Sequence, residues 1–321
     1  LSKGSVKRLV KAVRSEIHEL SSEPVWRNHW NDEGYIPDYS RVKERLEALL
    51  TQGFADEVVH LGKELLEAGT RQVEMSHDEG ETAGEISSCI EVVFRALPQS
   101  SLSSVKKMIW AVEAEIQDKY ELCYSAELFW KKEKYSKADW NSLAEELIKR
   151  LNSFPVSKDE DSFSRNYRRD HLSNWVVRAL EKSGRHKEII PLCEQEAEKT
   201  GSYVRLVKYL INARQKEEAT AWINKGIGAT QKKWPGIASE LTALLREMWE
   251  KEEDWLRVAA LRAEEFFQHS SLHTFNDLEK AAKQAKIWPE VRAAVMQYLE
   301  TGNLPWGHPS WPLLKTGLLQ G

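Results

Sequence analysis

Hydrophobic positions recur along most of this chain with a period of about 3.6 residues, the mark of amphipathic helices. In 54–68 the stripe is Phe54, Val58, Leu61, Leu65 and Leu66, with Asp56, Glu57, Lys63 and Glu64 mostly opposite. In 38–51 it is Val42, Leu46, Leu49 and Leu50. Between them stands Gln52-Gly53, and a glycine there takes the left-handed conformation that ends a helix. Two amphipathic helices joined so closely fold back as an antiparallel hairpin. The same reading predicts helices near 5–20, 82–97, 102–118, 120–132, 136–151, 164–183, 185–200, 202–213, 215–228, 236–250, 253–268, 273–285 and 288–300. Breaks carry turn residues: Pro98-Gln99-Ser100-Ser101, Ser183-Gly184, Thr200-Gly201 and Trp234-Pro235-Gly236.

Three stretches lack that period. Residues 21–37 are aromatic and irregular and read as a loop. Residues 70–81 begin as helix and then turn acidic. Residues 152–162 (NSFPVSKDEDS) read as a linker between an N-terminal helical region, 1–151, and a C-terminal one, 163–300. The tail, 301–321, holds Pro305, Pro309 and Pro312 and little helical pattern. The chain opens without Met directly into a helical pattern, so a fragment of a longer protein is expected.

The pattern also repeats. GFADEVVHL (53–61) aligns with GRHKEIIPL (184–192), and Asp-Trp-Leu-Arg-Val (254–258) with Ile-Trp-Pro-Glu-Val (287–291). With Ile189, Ala219, Val258 and Val291 as equivalents, the steps are 30, 39 and 33 residues. A helix-turn-helix unit of about this length has the tetratricopeptide period, and a lone hairpin cannot bury its apolar face, so neighbours stack. The expected fold is all-α: an antiparallel helical-hairpin solenoid of degenerate tetratricopeptide-like repeats. Trp255 and Trp288 occupy matching positions, which points to packing between hairpins.

Composition narrows the function classes. The chain has 321 residues, 46 Lys+Arg against 50 Asp+Glu, and a formal net charge of -4. That balance speaks against a nucleic-acid binder along its whole length while permitting a local basic patch. Cys89, Cys123 and Cys193 are scattered, odd in number and form no CxxC pair, so buried reduced thiols and a cytoplasmic setting are expected. No apolar run approaches the roughly 18 residues of a membrane span. GxSxG, GxGxxG and GxxxxGK[ST] are absent, so neither a hydrolase elbow nor a nucleotide fold is supported.

Residues 163–226, FSRNYRRDHLSNWVVRALEKSGRHKEIIPLCEQEAEKTGSYVRLVKYLINARQKEEATAWINKG, resemble the C-terminal helical region of bacterial SWIM-type zinc-finger proteins. Segments 35–69 and 278–299 support the likeness, which covers most of the chain. It rests on extended similarity and not on a catalytic motif. The family's Cys-x-Cys, spacer, Cys-x-His motif does not occur here, so its zinc and any nucleic-acid contact of the finger are not carried onto these residues. The resemblance implies a helical-repeat region, no enzyme and no cofactor in this chain, with zinc expected only in the finger of the parent protein.

Among local clusters, Arg165, Arg168 and Arg169, with Tyr167 and His171, stand out. Arg165, Arg168, Arg169 and Leu172 fall at i, i+3, i+4 and i+7, which gathers cationic charge on one helical face. Arginine forks meet carboxylate or phosphate bidentately, which makes this a candidate partner or anion contact. The alternative is pairing within the chain to Asp159, Glu160, Asp161 or Asp170, as surface charge runs commonly do. His269 and His273 have a zinc-compatible spacing, but Ser270-Ser271 between them reads as a helix break and N-cap, and no third ligand is near in sequence. The aromatic-basic loop 26–30 and the tail 306–312 suit either stacking on a ligand or capping the end of a repeat array. The function expected is a non-enzymatic scaffold for a protein or peptide partner, without membrane contact. The alternative is nucleic-acid binding by the repeats together with the parent's zinc finger.

Overall fold

A computed structural model describes residues 3–22, 25–28, 30–31, 33–154, 163–305 and 311–313. The described residues hold fifteen α-helices and one two-stranded hairpin. In order these are α1 (Lys3–Leu20), β1 (Trp26–Asn28), β2 (Glu33–Tyr35), α2 (Ser40–Thr51), α3 (Ala55–Met75), α4 (Glu81–Ala96), α5 (Ser104–Gln117), α6 (Ala126–Lys132), α7 (Lys137–Ser153) and α8 (Phe163–Ser183). Then follow α9 (Ile189–Thr200), α10 (Tyr203–Asn212), α11 (Lys216–Thr230), α12 (Pro235–Lys251), α13 (Trp255–Gln268), α14 (Leu272–Gln284) and α15 (Trp288–Thr301). The fold is all-α, with neighbouring helices packed on one another. No helix among the described residues is long and apolar enough to cross a membrane.

One turn geometry ends five helices. Gly53, Gly184, Arg214, Glu253 and Lys286 have φ between 58° and 85°. In each case the residue's N–H bonds the carbonyl three residues back, and the next N–H bonds the carbonyl five back. That is the Schellman arrangement, which satisfies carbonyls a helix end leaves orphaned. The last four positions lie 30, 39 and 33 residues apart. Five residues after each comes the apolar position aligned from the sequence: Ile189, Ala219, Val258 and Val291, and likewise Val58 after Gly53, all buried.

Contacts divide the chain into two compact units, Leu1–Leu192 and Cys193–Gly321. The first unit has a core of α1 to α6 that includes Val13, Leu46, Leu61, Leu65, Ile90 and Val93. Gly62 and Gly69 of α3 face Val93 and Ile86 of α4. A Cβ on Gly62 would sit 2.3 Å from Val93 Cγ1, and one on Gly69 2.7 Å from Ile86 Cγ2. A buried polar chain crosses this core: Tyr39 Oη donates to Gln72 Oε1 at 2.5 Å, and Gln72 Nε2 donates to the Leu20 carbonyl at 2.5 Å. In the second unit successive helices pack in chain order, α10 on α11, α11 on α12, and so on to α14 on α15. Its core includes Leu206, Ile223, Leu241, Ala259, Phe266 and Leu278.

The structure revises three expectations. The division between units falls inside α9, not at 152–162, because α7 and α8 lie packed along each other in one unit. A Pro-containing charged stretch marks a connection, and a connection between packed helices is no boundary. Of that stretch, 155–162 lie outside the described residues. Within 21–37, β1 and β2 pair antiparallel with Trp26 opposite Tyr35, and the His77 N–H bonds the Val25 carbonyl at 2.9 Å. The helix expected over 120–132 begins at Ala126. Before it, the Asp118 carboxylate accepts the N–H groups of Tyr120, Leu122 and Cys123, and Glu121 takes a φ of 59°. Trp255 and Trp288 are both half-buried, and Trp288 packs edge-on to Phe275 at 5.6 Å.

Candidate functional site

α8 carries apolar residues around most of its circumference. Leu172, Trp175, Val176, Val177, Ala179 and Leu180 are all buried. Packing against α7 therefore decides how its cationic residues are distributed. Arg169 turns inward, only 4% exposed, and its Nη1 donates to the carbonyls of Leu151 at 3.1 Å and Phe154 at 2.8 Å. A guanidinium taken out of water needs acceptors, and the carbonyls where α7 ends supply them. Arg169 is thus a tie across the α7–α8 hairpin and not a surface contact. Arg168 is exposed, and Arg165 lies in α8 with its side chain outside the described residues. The acidic residues 159–161 also lie outside them.

Tyr167 and His171 go elsewhere. Their rings stack at 4.6 Å on a second face of α8, which continues through Asn174, Trp175 and Arg178. These positions follow helical spacing and form one wall of a cleft of about 580 Å³ within the first unit. The opposite wall runs from Glu115 of α5 through Asp118, Lys119, Glu121, Cys123 and Tyr124 to Glu127 of α6. The Asp118 carboxylate, by gathering three backbone N–H groups, shapes that wall. Tyr124 and Tyr167 are 61% and 50% exposed, so the cleft's mouth is aromatic on both sides.

Arg178 also lines the cleft. The guanidinium lies 4.5 Å from the ring centre of Trp175 and 5.4 Å from that of Trp130, and these rings are 4.8 Å apart. Such stacking holds a cation by the negative faces of the indoles. Among the described residues Arg178 makes no hydrogen bond or ion pair. Beside it the Glu115 carboxylate accepts Trp130 Nε1–H at 2.5 Å. Burial pushes the Glu115 carboxyl above the usual carboxylate range, against the opposing pull of the Trp130 hydrogen bond and the Arg178 charge. Other charges on the walls are engaged: Lys119 pairs with Glu74 at 2.5 Å and Glu127 with Lys131 at 2.6 Å.

Cys123 is 4% exposed, and burial first, then Asp118 and Glu115, drives its thiol pKa far upward, so the nucleophilic thiolate is suppressed. Cys89 is pushed up to about 12, again chiefly by burial, and Cys193 is buried. Among the described residues no group of three or more His, Cys, Asp or Glu is arranged to hold a metal ion. His269 follows the end of α13, and Ser271 opens α14 with a capping box to Thr274, so a helix break separates the two histidines.

The cleft brings together two of the five singled-out residues, Tyr167 and His171. It adds Arg178 and Glu115, which the sequence reading passed over, and Trp175, which like the neighbouring Trp130 that reading took for helix packing. The available signal was the spacing of 167, 171, 174 and 178 along one helix. In the comparisons with known proteins, no family model, curated protein or solved structure matches the chain.

Proposed function

We propose that this chain is a non-enzymatic scaffold for a protein partner, and that the α8 cleft receives an extended or helical segment of that partner. In the same reading the five hairpins are degenerate tetratricopeptide-like repeats of a solenoid, from a larger SWIM zinc-finger-like protein. The repeated Schellman turn and the buried position five residues after it support the repeat part.

One observation carries the cleft: a guanidinium with no hydrogen bond or ion pair among the described residues, stacked on two tryptophans, in a cleft also lined by two exposed tyrosines. Partner-binding centres are enriched in this combination of aromatic area and a fixed arginine fork. Arg178 has its donor edge unused and little freedom left to lose, so a carbonyl or carboxylate of a bound segment meets a preorganised group. The experiment is quantitative affinity capture from the native cell with the full chain and its Tyr167→Ala and Arg178→Ala variants. Recovery of a protein that Arg178→Ala lowers by about tenfold or more, with helicity intact by circular dichroism, is the expected result. Equal recovery by all three chains would discard the cleft.

A further inference from the structure

The second unit ends in a contact that serves neither the hairpin turns nor the α8 cleft. Beyond Thr301, where α15 ends, the chain returns to the unit: Trp311 is 3% exposed and Leu313 is fully buried. The Trp311 ring stands edge-on to Phe267 of α13, with centroids 6.2 Å apart. Phe267 in turn meets Tyr298 of α15 at 4.7 Å and 89°. Phe266 lies 6.3 Å from the same tyrosine. The last turns of α13 and α15 therefore form an aromatic slot, and a Trp-Pro-Leu segment fills it.

How that segment is held is informative. Trp311 Nε1 is buried with no hydrogen-bond partner among the described residues. Buried indole N–H groups ordinarily find an acceptor. Ring packing and apolar burial thus carry the contact at Trp311, and a segment of the same shape supplied from outside competes on equal terms. Covalent connection within one chain favours its own segment, as intramolecular binding does in general.

We propose that the slot between α13 and α15 is a peptide-recognition site keyed to a Trp-Pro-Leu segment, and that residues 311–313 close it in cis against the same segment of a second copy of this chain. Every copy carries both slot and ligand, so displacement of the tail in one copy exposes a site that the tail of another fits.

The test uses a fluorescently labelled peptide of residues 303–316, titrated onto the full chain and onto its full-length Trp311→Ala variant with polarisation as readout. The variant is expected to bind the peptide at least about tenfold more tightly than the wild type, because its own tail no longer competes. A peptide bearing Trp311→Ala is expected to bind neither. Should Trp311→Ala melt the unit, a protease site inserted after Gly302 of the otherwise unchanged chain takes its place. Cleavage leaves the native tail in its slot, and exchange with labelled peptide is followed by size-exclusion chromatography. Exchange supports the proposal. A folded Trp311→Ala chain blind to the peptide, a cut chain that keeps its tail without exchange, or one that unfolds on cleavage would each make the segment a fixed part of the core.

Discussion

Arg214, Glu253 and Lys286 sit at φ of 62°, 58° and 60°, where an L side chain is crowded by the carbonyl beyond it. Gly53 and Gly184 occupy the same place in their hairpins without that cost. The three side chains are exposed, and among the described residues they make no bond to the rest of the chain. Replacing each with glycine removes the strain and leaves both Schellman bonds in place. Arg214→Gly, Glu253→Gly and Lys286→Gly are each expected to raise stability by about 0.5–1 kcal/mol, net of the extra freedom glycine gives the unfolded chain. Denaturant midpoints measure this. Lowered midpoints would mean that the helix ends are held by something other than the left-handed turn.

Among the elements, α3 and α4 show most directly how sequence sets approach. Gly62 and Gly69 are one heptad apart on α3, and without side chains they let Val93 and Ile86 of α4 come against the backbone. A methyl group at 62 collides with a β-branched side chain that has little rotamer freedom inside a helix. Gly62→Ala is therefore expected to destabilise the first unit by about 1–3 kcal/mol, despite alanine's better helix propensity. A thermal melt decides between the two effects, and a gain in melting temperature would show that the helices can separate at little cost. α8 illustrates the opposite case. Its buried residues cover so much of its surface that no single stripe marks the inward face. The Arg165, Arg168, Arg169 face accordingly read as one cationic patch, whereas packing buries Arg169 and presents Tyr167, His171 and Arg178 to the cleft.

For the molecule as a whole, charge separates the proposed partner class from the alternative. The net charge is -4, and the cleft walls carry Glu115, Asp118, Glu121 and Glu127. Phosphate backbones are held by released counterions and a basic surface, and these walls offer the reverse. The chain alone is expected to leave DNA and RNA unshifted in an electrophoretic assay between about 50 and 200 mM salt. A shift that weakens with salt would restore nucleic-acid binding as the leading function. Most helix positions and the left-handed turn at Gly53 were legible in the sequence by itself, because period, capping and turn chemistry act within a few residues; the same turn at Arg214, Glu253 and Lys286 was not, since no glycine marks it. Helix rotation, the stacking of Arg178 on Trp130 at a separation of 48 positions, the docking of Trp311 on Phe267 and the division into units were decided by tertiary structure alone. Each depends on which apolar surfaces meet at long range, and that choice minimises exposed area over a whole unit rather than within any one segment.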